Sequence, residues 1–183
     1  IRSATDRMDR LINAILRLSR NGRRELTPEP INLKQALESA AMAVQHQLDQ
    51  VSAETNVSAP VITIVSDKLA LDQVFGNLVD NAVKYLDPKR PGRIDISARR
   101  IGDRVVVSIT DNGRGIAPQD HERIFELFRR SGVQDRPGDG IGLAHTRTLI
   151  RRLGGQITLS SRLGEGTTFN IELPLELEGA GIG

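Results

Sequence analysis

The apolar positions in the first twenty residues follow the alternating three-and-four spacing of a heptad repeat. They are Ile1, Ala4, Met8, Leu11, Ile15 and Leu18. This spacing places them on one side of a helix, and Ile12 and Leu16 widen that side toward the geometry of a helix bundle. Gly22 follows the pattern, as is common at helix ends. We therefore predict a bundle helix over residues 1–22, one half of a helical hairpin. The alternative is a helix that packs on its own domain.

A polar segment that contains Pro28 and Pro30, residues 23–31, separates this helix from the rest of the chain. We interpret the segment as a linker and place one domain at residues 32–178. Asn32, with a glutamine three residues later, predicts the capped start of the next helix. The apolar face of that helix comprises Leu33, Leu37, Ala40, Ala41, Val44 and Leu48. Such a face needs a core to pack against, and the following segments supply it.

The rest of the pattern alternates between the period of helices and the two-residue period of strands. Five segments predict strands: residues 61–65, 93–100, 104–110, 156–161 and 167–173. One helix is predicted at residues 72–85, after a cap at Ser66 and Asp67, and another ends near residue 153. Several strands are joined by short turns. The prediction is an α/β (α+β) two-layer sandwich, in which a mixed, largely antiparallel sheet of about five strands is covered by about three helices.

Composition removes several classes of function. The 183 residues carry a net charge of +2, which gives no reason to expect a nucleic-acid partner or contact with an anionic membrane. The chain has no cysteine, so disulfides, thiolate metal sites and a cysteine nucleophile are excluded, and a reducing, cytoplasmic location is expected. No apolar run approaches the roughly 20 residues that span a bilayer. The chemistry must therefore come from a few polar positions. The parent protein could be membrane-anchored or soluble.

Four residues share one face of the helix predicted at residues 72–85. They are Asn77, Asn81, Lys84 and Tyr85, at positions i, i+4, i+7 and i+8. Asparagine is a poor helix former, so two on one face favour a role other than helix stability. Amide oxygens suit Mg²⁺, an ammonium group suits phosphate, and an aromatic ring can stack on a flat base. The alternative is a helix with a solvated polar face.

Two glycine-containing loops follow this helix. The first, residues 111–116, begins at a strand end with Asp111, whose carboxylate could accept a hydrogen bond from an exocyclic amine such as that of adenine. The second, residues 138–144, leads into a helix, and the free N–H groups of a helix N-terminus bind phosphates. Either loop alone could be an ordinary turn. The segment between them predicts a lid that carries Phe125, Phe128 and Arg129.

In this order, the Asn/Asn/Lys helix, the DxGxG loop, the Phe-containing lid and the GxGxG loop resemble the ATP-binding catalytic domain of sensor histidine kinases, which has the Bergerat or GHKL-type ATPase fold. Residues 31–175 resemble that whole domain. Residues 1–22 resemble the second helix of the dimerisation and phosphotransfer hairpin. The segments YLDPKRP and GDGIGLA look closest to the phytochrome-like group of these kinases.

The resemblance implies a role for each matching residue. Asn81 would bind Mg²⁺ with Asn77 beside it, and Lys84 would contact a phosphate group, so Asn81 and Lys84 are the candidate catalytic residues. Tyr85 would line the adenine, and Asp111 would hold the adenine amine. The pocket floor, the lid and the phosphate clasp would comprise Gly113, Gly115, Ile116, Phe128, Arg129, Gly138, Gly140, Ile141, Gly142 and Leu143, with Thr168 supporting the aspartate through a water molecule.

Two features depart from the family. The usual residue at position 139 is a small hydroxyl one, and here it is Asp139, whose role the resemblance leaves open. The acceptor histidine of the family, which an acidic residue follows on the first bundle helix, has no counterpart. The histidines of this chain are His46, His121 and His145. We therefore expect that this chain alone does not autophosphorylate.

The implied activity is transfer of the γ-phosphoryl group of Mg·ATP to a histidine on a bundle helix, and from there to an aspartate in the receiver domain of a response regulator. The full-length protein would be a homodimer through the bundle helix. One alternative is a non-catalytic ATP-sensing or docking module, against which Asn81, Asp111 and the glycine loops argue. The other is a GHKL-type ATPase, against which the missing glutamate general base in the helix at residues 72–85 argues.

Overall fold

The structure, a computed structural model, describes residues 2–126 and 142–178. Its helices are α1 (Arg2–Arg23), α2 (Leu33–Ala43), α3 (Gln45–Gln50), α4 (Lys68–Lys84) and α5 (Gly142–Arg152). Its strands are β1 (Pro28–Asn32), β2 (Glu54–Ser58), β3 (Thr63–Asp67), β4 (Arg93–Ile101), β5 (Arg104–Asp111), β6 (Gln156–Arg162) and β7 (Gly166–Pro174). Two 3-10 turns, Pro118–Asp120 and Arg123–Phe125, lie between β5 and α5.

A mixed sheet of five strands forms one layer of the domain. Its order is β2-β4-β5-β7-β6, with β2 parallel to β4 and the other neighbours antiparallel. Every second residue of β5 and β7 is buried, as expected for strands with one covered face. The second layer is made by α2, α4 and α5, with α4 in contact with both of the others. The predicted two-layer sandwich with a mixed, largely antiparallel sheet is confirmed.

Helix α4 is packed into the core along one side. Its side chains Leu71, Val74, Phe75 and Leu78 are fully buried, and they meet the apolar side chains of the sheet in a single core. Asp67 caps its N-terminus, because the carboxylate accepts a hydrogen bond from the backbone N–H of Ala70 at 2.8 Å. This packing fixes the rotation of α4, and with it the direction of the polar face that carries the two asparagines.

Two strands were not predicted from the sequence. Strand β1 overlaps the end of the expected linker, yet it pairs antiparallel with β3 in a separate two-stranded sheet. Prolines are tolerated in β1 because this strand pairs with a neighbour on one side only. Strand β2 is a polar strand at the edge of the main sheet and takes the place that the strand predicted at residues 61–65 was expected to fill. The division of the chain into a helix, a linker and an ATP-binding domain stays a prediction.

The connection between α1 and β1 is fastened to the domain. The guanidinium Nη2 of Arg24 lies 2.5 Å from Asp67 Oδ1, and the backbone N–H of Thr27 donates to Asp67 Oδ2 at 2.8 Å. The carbonyl oxygen of Arg24 accepts a hydrogen bond from Arg152 Nη2 at 2.5 Å. The first part of the predicted linker is therefore attached to the start of α4 and the end of α5.

Helix α1 presents large apolar side chains to solvent. Met8, Ile12, Ile15 and Leu16 are each between 46% and 63% exposed, so the rest of the described chain does not cover them. The predicted role of α1 in a helix bundle stays a prediction. Among residues 2–126 and 142–178, none of the helices has the length and apolar character needed to cross a bilayer.

Candidate nucleotide-binding site

The two asparagines of α4 have different surroundings. Asn77 Nδ2 donates to the hydroxyl of Thr146 at 3.3 Å, and this buried hydroxyl donates to the carbonyl oxygen of Gly142 at 2.7 Å. Asn77 thus links α4 to the first turn of α5. The half-buried carboxamide of Asn81 makes no hydrogen bond within the described part of the chain. The amide oxygen of Asn77 is not engaged by this bond, but only Asn81 can turn its carboxamide toward a hard cation without breaking a hydrogen bond of the described residues.

Lys84 and Tyr85 complete the polar face of α4, and each has a partner. Lys84 Nζ lies 2.9 Å from the carboxylate of Asp80, one turn earlier. Asp80 was not in the predicted set, although its i, i+4 spacing to Lys84 could have indicated the pair. The guanidinium of Arg114 lies 5.5 Å from the ring centroid of Tyr85, in a cation–π arrangement. A phosphate group would compete with Asp80 for Lys84.

Asp111 is a buried carboxylate at the end of β5, only 7% exposed. It accepts a hydrogen bond from the backbone N–H of Gly113 at 2.8 Å, and the backbone N–H of Thr167, its partner residue on β7, also favours its charged form. Burial raises the pKa of Asp111 to about 6, although both N–H groups and the positive charge of Arg90 act in the opposite direction. The site therefore holds a carboxylate with fewer donors than its burial requires, which suits an acceptor for an exocyclic amine.

The loop after Asp111 is packed so tightly that two of its positions require glycine. A Cβ atom on Gly113 would lie 2.2 Å from the carbonyl oxygen of Tyr85. Gly115 has a φ of +70°, and a Cβ atom there would lie 2.0 Å from the carbonyl oxygen of Arg162. Gly113 therefore lets the loop pack against the end of α4, and Gly115 lets it pack against the end of β6, where the β6–β7 turn begins.

Two residues outside the predicted set hold this loop. Arg90, between α4 and β4, donates from Nε to the carbonyl oxygen of Asn112 at 2.8 Å and from Nη2 to that of Gly113 at 2.6 Å. The hydroxyl oxygen of Ser161 on β6 accepts a hydrogen bond from the backbone N–H of Ile116 at 2.8 Å. No motif spacing indicates either residue, because both act on backbone groups that come together only in the fold.

The prediction for Thr168 was wrong by one residue. Side chains alternate between the two faces of β7, and Thr167, not Thr168, lies opposite Asp111 and is buried. Thr168 points to the other face of the sheet, where its hydroxyl lies 3.0 Å from that of Thr110. Any side-chain support for Asp111 from β7 must therefore come from Thr167.

The predicted lid and phosphate clasp are described only in part. Gly142 is the exposed first residue of α5, and Leu143 is partly buried against the core. Phe125 is buried and packs edge-to-face against Phe169, with ring centroids 6.3 Å apart. The remaining predicted residues of this segment lie outside the described residues: Phe128, Arg129, Gly138, Asp139, Gly140 and Ile141.

The three histidines lie in three different settings. His46 is exposed on α3, with its Nε2 atom 3.1 Å from Nε2 of Gln50. Nε2 of His121 lies 3.0 Å from the carbonyl oxygen of Ile116, at the end of the loop that follows Asp111. His145 is half-buried on α5, and burial lowers its pKa. The expectation that none of them is a phosphoryl acceptor stays a prediction.

The residues present fit a nucleotide with a hard cation. Asp111 offers a buried acceptor for the amine of a base. The loop beside it needs glycine at positions 113 and 115, because a Cβ atom at either would clash with a backbone carbonyl oxygen. Asn81 offers an amide oxygen for the cation. No cluster of three or more acidic or histidine side chains that could hold a metal occurs in the described ranges. The cation would therefore depend on phosphate oxygens as well as on Asn81.

The fold and this site together define a nucleotide-binding domain of the ATPase class. Residues 66–177 match the family model for histidine kinase-, DNA gyrase B-, and HSP90-like ATPases, and the chain belongs to this family. Within the family, the chain is an ATP-binding catalytic domain of the sensor histidine kinase type.

Individual relatives agree with this assignment. The chain is 35% identical over 145 residues to phytochrome-like protein Cph1 of Synechocystis sp., which covers 79% of this chain and 19% of Cph1. The crystal structure of full-length ShkA in complex with AMPPNP is 31% identical, with a TM-score of 0.80, and the match covers 94% of this chain and 37% of ShkA. The mycobacterial sensor histidine kinase MprB is 27% identical, with a TM-score of 0.72, over 81% of this chain and 97% of that one.

Proposed function

We propose that this domain binds Mg·ATP and presents the γ-phosphoryl group to a histidine on a bundle helix, for relay to an aspartate in the receiver domain of a response regulator. The observation that carries the proposal is Asp111, a buried carboxylate that accepts one backbone hydrogen bond and keeps acceptor capacity beside a loop built on glycines. The likeness to ShkA, whose structure contains AMPPNP, supports a nucleotide as the ligand.

Asp111 would select the base. An ionised carboxylate accepts hydrogen bonds from an exocyclic amine. Adenine carries such an amine at position 6, where guanine carries a carbonyl oxygen that could only repel the carboxylate. The glycines at 113 and 115 let the loop backbone approach the flat base. Tyr85, half-buried at the end of α4, would line the other side of the pocket.

Asn81 and Lys84 would hold the metal and phosphate end of the ligand. Bound Mg·ATP supplies the phosphoryl group and the metal charge that offsets the charge developing on its oxygens during transfer. Asn81 would coordinate the metal through its amide oxygen, and Lys84 would turn from Asp80 toward a phosphate oxygen. The N-terminus of α5, which begins at Gly142, would add free N–H groups for the same phosphates.

Helix α1 would connect this domain to its acceptor. Its exposed apolar side is suited to a helix bundle, and we propose that the bundle makes the full-length protein a homodimer and carries the acceptor histidine. We further propose a cytoplasmic location, with no nucleic acid and no membrane contact for this chain, since its net charge is +2 and it has no cysteine.

Calorimetry with AMPPNP, with and without Mg²⁺, tests the proposal. We expect Mg²⁺ to raise the affinity of the native chain, and Asn81→Ala to abolish that increase because the metal loses its protein ligand, at a cost of roughly tenfold. Asn13→Ala, at an exposed position on α1, is the control and should bind like the native chain. Equal affinity of the native chain with and without metal would contradict the proposal.

Labelled ATP distinguishes the proposed kinase from its alternatives. A helical hairpin that carries a histidine followed by an acidic residue should acquire acid-labile phosphate when this chain is added, and the chain alone should acquire none. Release of free phosphate without acceptor labelling would indicate a GHKL-type ATPase. Nucleotide binding with neither outcome would indicate an ATP-sensing or docking module.

A further inference from the structure

The loop that follows Asp111 is fastened from two sides by residues of different chemistry. On the α4 side, the guanidinium of Arg90 donates to two successive carbonyl oxygens, at 2.8 Å and 2.6 Å. On the β6 side, the hydroxyl of Ser161 accepts from the backbone N–H of Ile116 at 2.8 Å, and it lies 2.9 Å from the carbonyl oxygen of Gly166. The Arg90 guanidinium carries a positive charge, whereas the Ser161 hydroxyl is neutral.

The two carbonyl groups that Arg90 binds are those of Asn112 and Gly113, directly after the strand end, where the β5 ladder no longer supplies partners. A guanidinium presents several N–H groups in one plane, so it can hold two neighbouring carbonyl oxygens at once. The N–H of Gly113 is the group that donates to Asp111 Oδ1 at 2.8 Å. Arg90 therefore fixes the peptide units that determine where the Asp111 carboxylate is held.

We infer that Arg90 is a positioning residue for the nucleotide base: its guanidinium holds the loop after Asp111 in the conformation in which this carboxylate can accept a hydrogen bond from an exocyclic amine. The inference rests on the proposed function, because the base in question is that of ATP. Arg90 does not itself touch the base in this role. It acts through the backbone and through its charge.

The charge adds a second effect. Burial raises the pKa of Asp111 to about 6, and the positive charge of Arg90 lowers it. Without that charge, a larger fraction of Asp111 would be protonated near neutral pH, and a protonated carboxyl group is a poorer acceptor. Arg90 is the charged side chain that acts on the pKa of Asp111, and its own carboxylate neighbour, Asp87, lies 3.9 Å away. Other titratable groups near the loop include Tyr85, Arg93, Arg114 and His121.

A nucleotide-free titration separates the charge of Arg90 from its hydrogen bonds. The carboxyl carbon of Asp111 would be followed by NMR against pH, with its resonance identified by its loss in Asp111→Asn. We expect the apparent pKa of Asp111 to rise in Arg90→Met and to stay near the native value in Arg90→Lys. It should stay unchanged in Lys89→Met, which removes a charge at the neighbouring exposed position, and in Ser161→Ala, which loosens the loop without removing a charge.

Calorimetry with Mg·AMPPNP on the same variants tests the positioning. We expect Arg90→Met to lower the affinity about tenfold at pH 7.5, as for the loss of hydrogen bonds from a charged group. Arg90→Lys should lose a smaller part, since it keeps the charge but cannot bind both carbonyl groups. Lys89→Met should bind like the native chain. Thermal unfolding of each variant checks that it is folded, and Arg90→Lys serves as the test variant if Arg90→Met is not.

Two results would overturn the inference. One is native affinity in the folded Arg90 variants. The other is an unchanged Asp111 titration in Arg90→Met with an affinity loss equal to that of Ser161→Ala, because Arg90 would then be one more scaffold contact. Failure of the proposed function has a different signature: the native chain would bind no Mg·AMPPNP, while the nucleotide-free titration of Asp111 would still respond to Arg90→Met.

Discussion

Two aspartates are the last residues of their strands, Asp67 in β3 and Asp111 in β5, and both are buried, but they have different roles. Asp67 is 1% exposed and accepts hydrogen bonds from Arg24 Nη2 at 2.5 Å and from the backbone N–H groups of Thr27 and Ala70, each at 2.8 Å. Asp111 is 7% exposed and accepts a hydrogen bond from the backbone N–H of Gly113 at 2.8 Å, with no ion pair at hydrogen-bond distance among the described residues.

The partners explain the opposite pKa shifts. Burial raises the pKa of Asp67, but the hydrogen bond of Arg24 and the two backbone N–H groups outweigh it, so the pKa lies below its ordinary value. For Asp111 burial prevails, and the pKa rises to about 6. A fully partnered carboxylate stabilises the fold, whereas a buried carboxylate with few partners costs stability and keeps its capacity for a ligand. The following predictions test that contrast.

Removing Asp67 should have the largest effect, and on stability. Asp67→Ala removes a helix cap, a hydrogen bond to Thr27 and the partner of Arg24, so we expect a loss of about 2–4 kcal/mol in the free energy of unfolding. Urea unfolding measures it. Asp72→Ala, which breaks an exposed ion pair with Lys68 on the same helix, is the control and should cost less than about 0.5 kcal/mol. A similar loss in both variants would contradict the structural role of Asp67.

Asp111→Asn should show the opposite profile. The free energy of unfolding should stay the same or rise, because the variant removes a buried charge. The affinity for Mg·AMPPNP should fall by roughly 10- to 100-fold, because an amide replaces the charged acceptor of the amine. Asp103→Asn, at the exposed turn before β5, is the matched control and should change neither quantity. Retained affinity in Asp111→Asn would show that this carboxylate does not bind the base.

The pH dependence of stability should also separate the two aspartates. Between about pH 4 and pH 6 the folded state holds a proton on Asp111 that the unfolded state has lost, so this residue makes the protein more stable as pH falls. From pH 6 to pH 5 the gain should be about 1 kcal/mol, measured as the difference in urea unfolding between the native chain and Asp111→Asn. Asp67 acts in the other direction, since its stabilisation is lost as pH falls below its ordinary value of 3.8.

The sequence predicted the parts of the fold that have a clear apolar period. The face of α4 with Phe75 and Leu78, and the alternation in β4, β5, β6 and β7, came directly from the order of apolar and polar residues. Strand β2 has no such signal, because it is a polar edge strand, and β1 contains two prolines that are typical of a linker. Their pairing depends on partners distant in the sequence, which no local pattern contains.

The candidate site divides in the same way. The sequence predicted the site residues that belong to a spaced motif, namely the asparagines of α4, Asp111 and the glycines that follow it. Arg90 and Ser161 were missed, because each binds a backbone group brought near by the fold rather than by spacing. Asp67 was recognised as a helix cap, but its ion pair with Arg24 joins residues 43 positions apart and has no sequence signal.

The smallest predicted effect concerns two adjacent threonines of β7. Thr167 is buried and lies opposite Asp111 in the sheet. We therefore expect Thr167→Val to lower the affinity for Mg·AMPPNP about three-fold, through loss of a hydroxyl on the face of the site. Thr168→Val is the matched control, because its hydroxyl pairs with Thr110 on the other face and cannot reach the site. A larger affinity loss in Thr168→Val than in Thr167→Val would contradict the register of β7 against β5, since a shift by one residue exchanges the two faces of the strand.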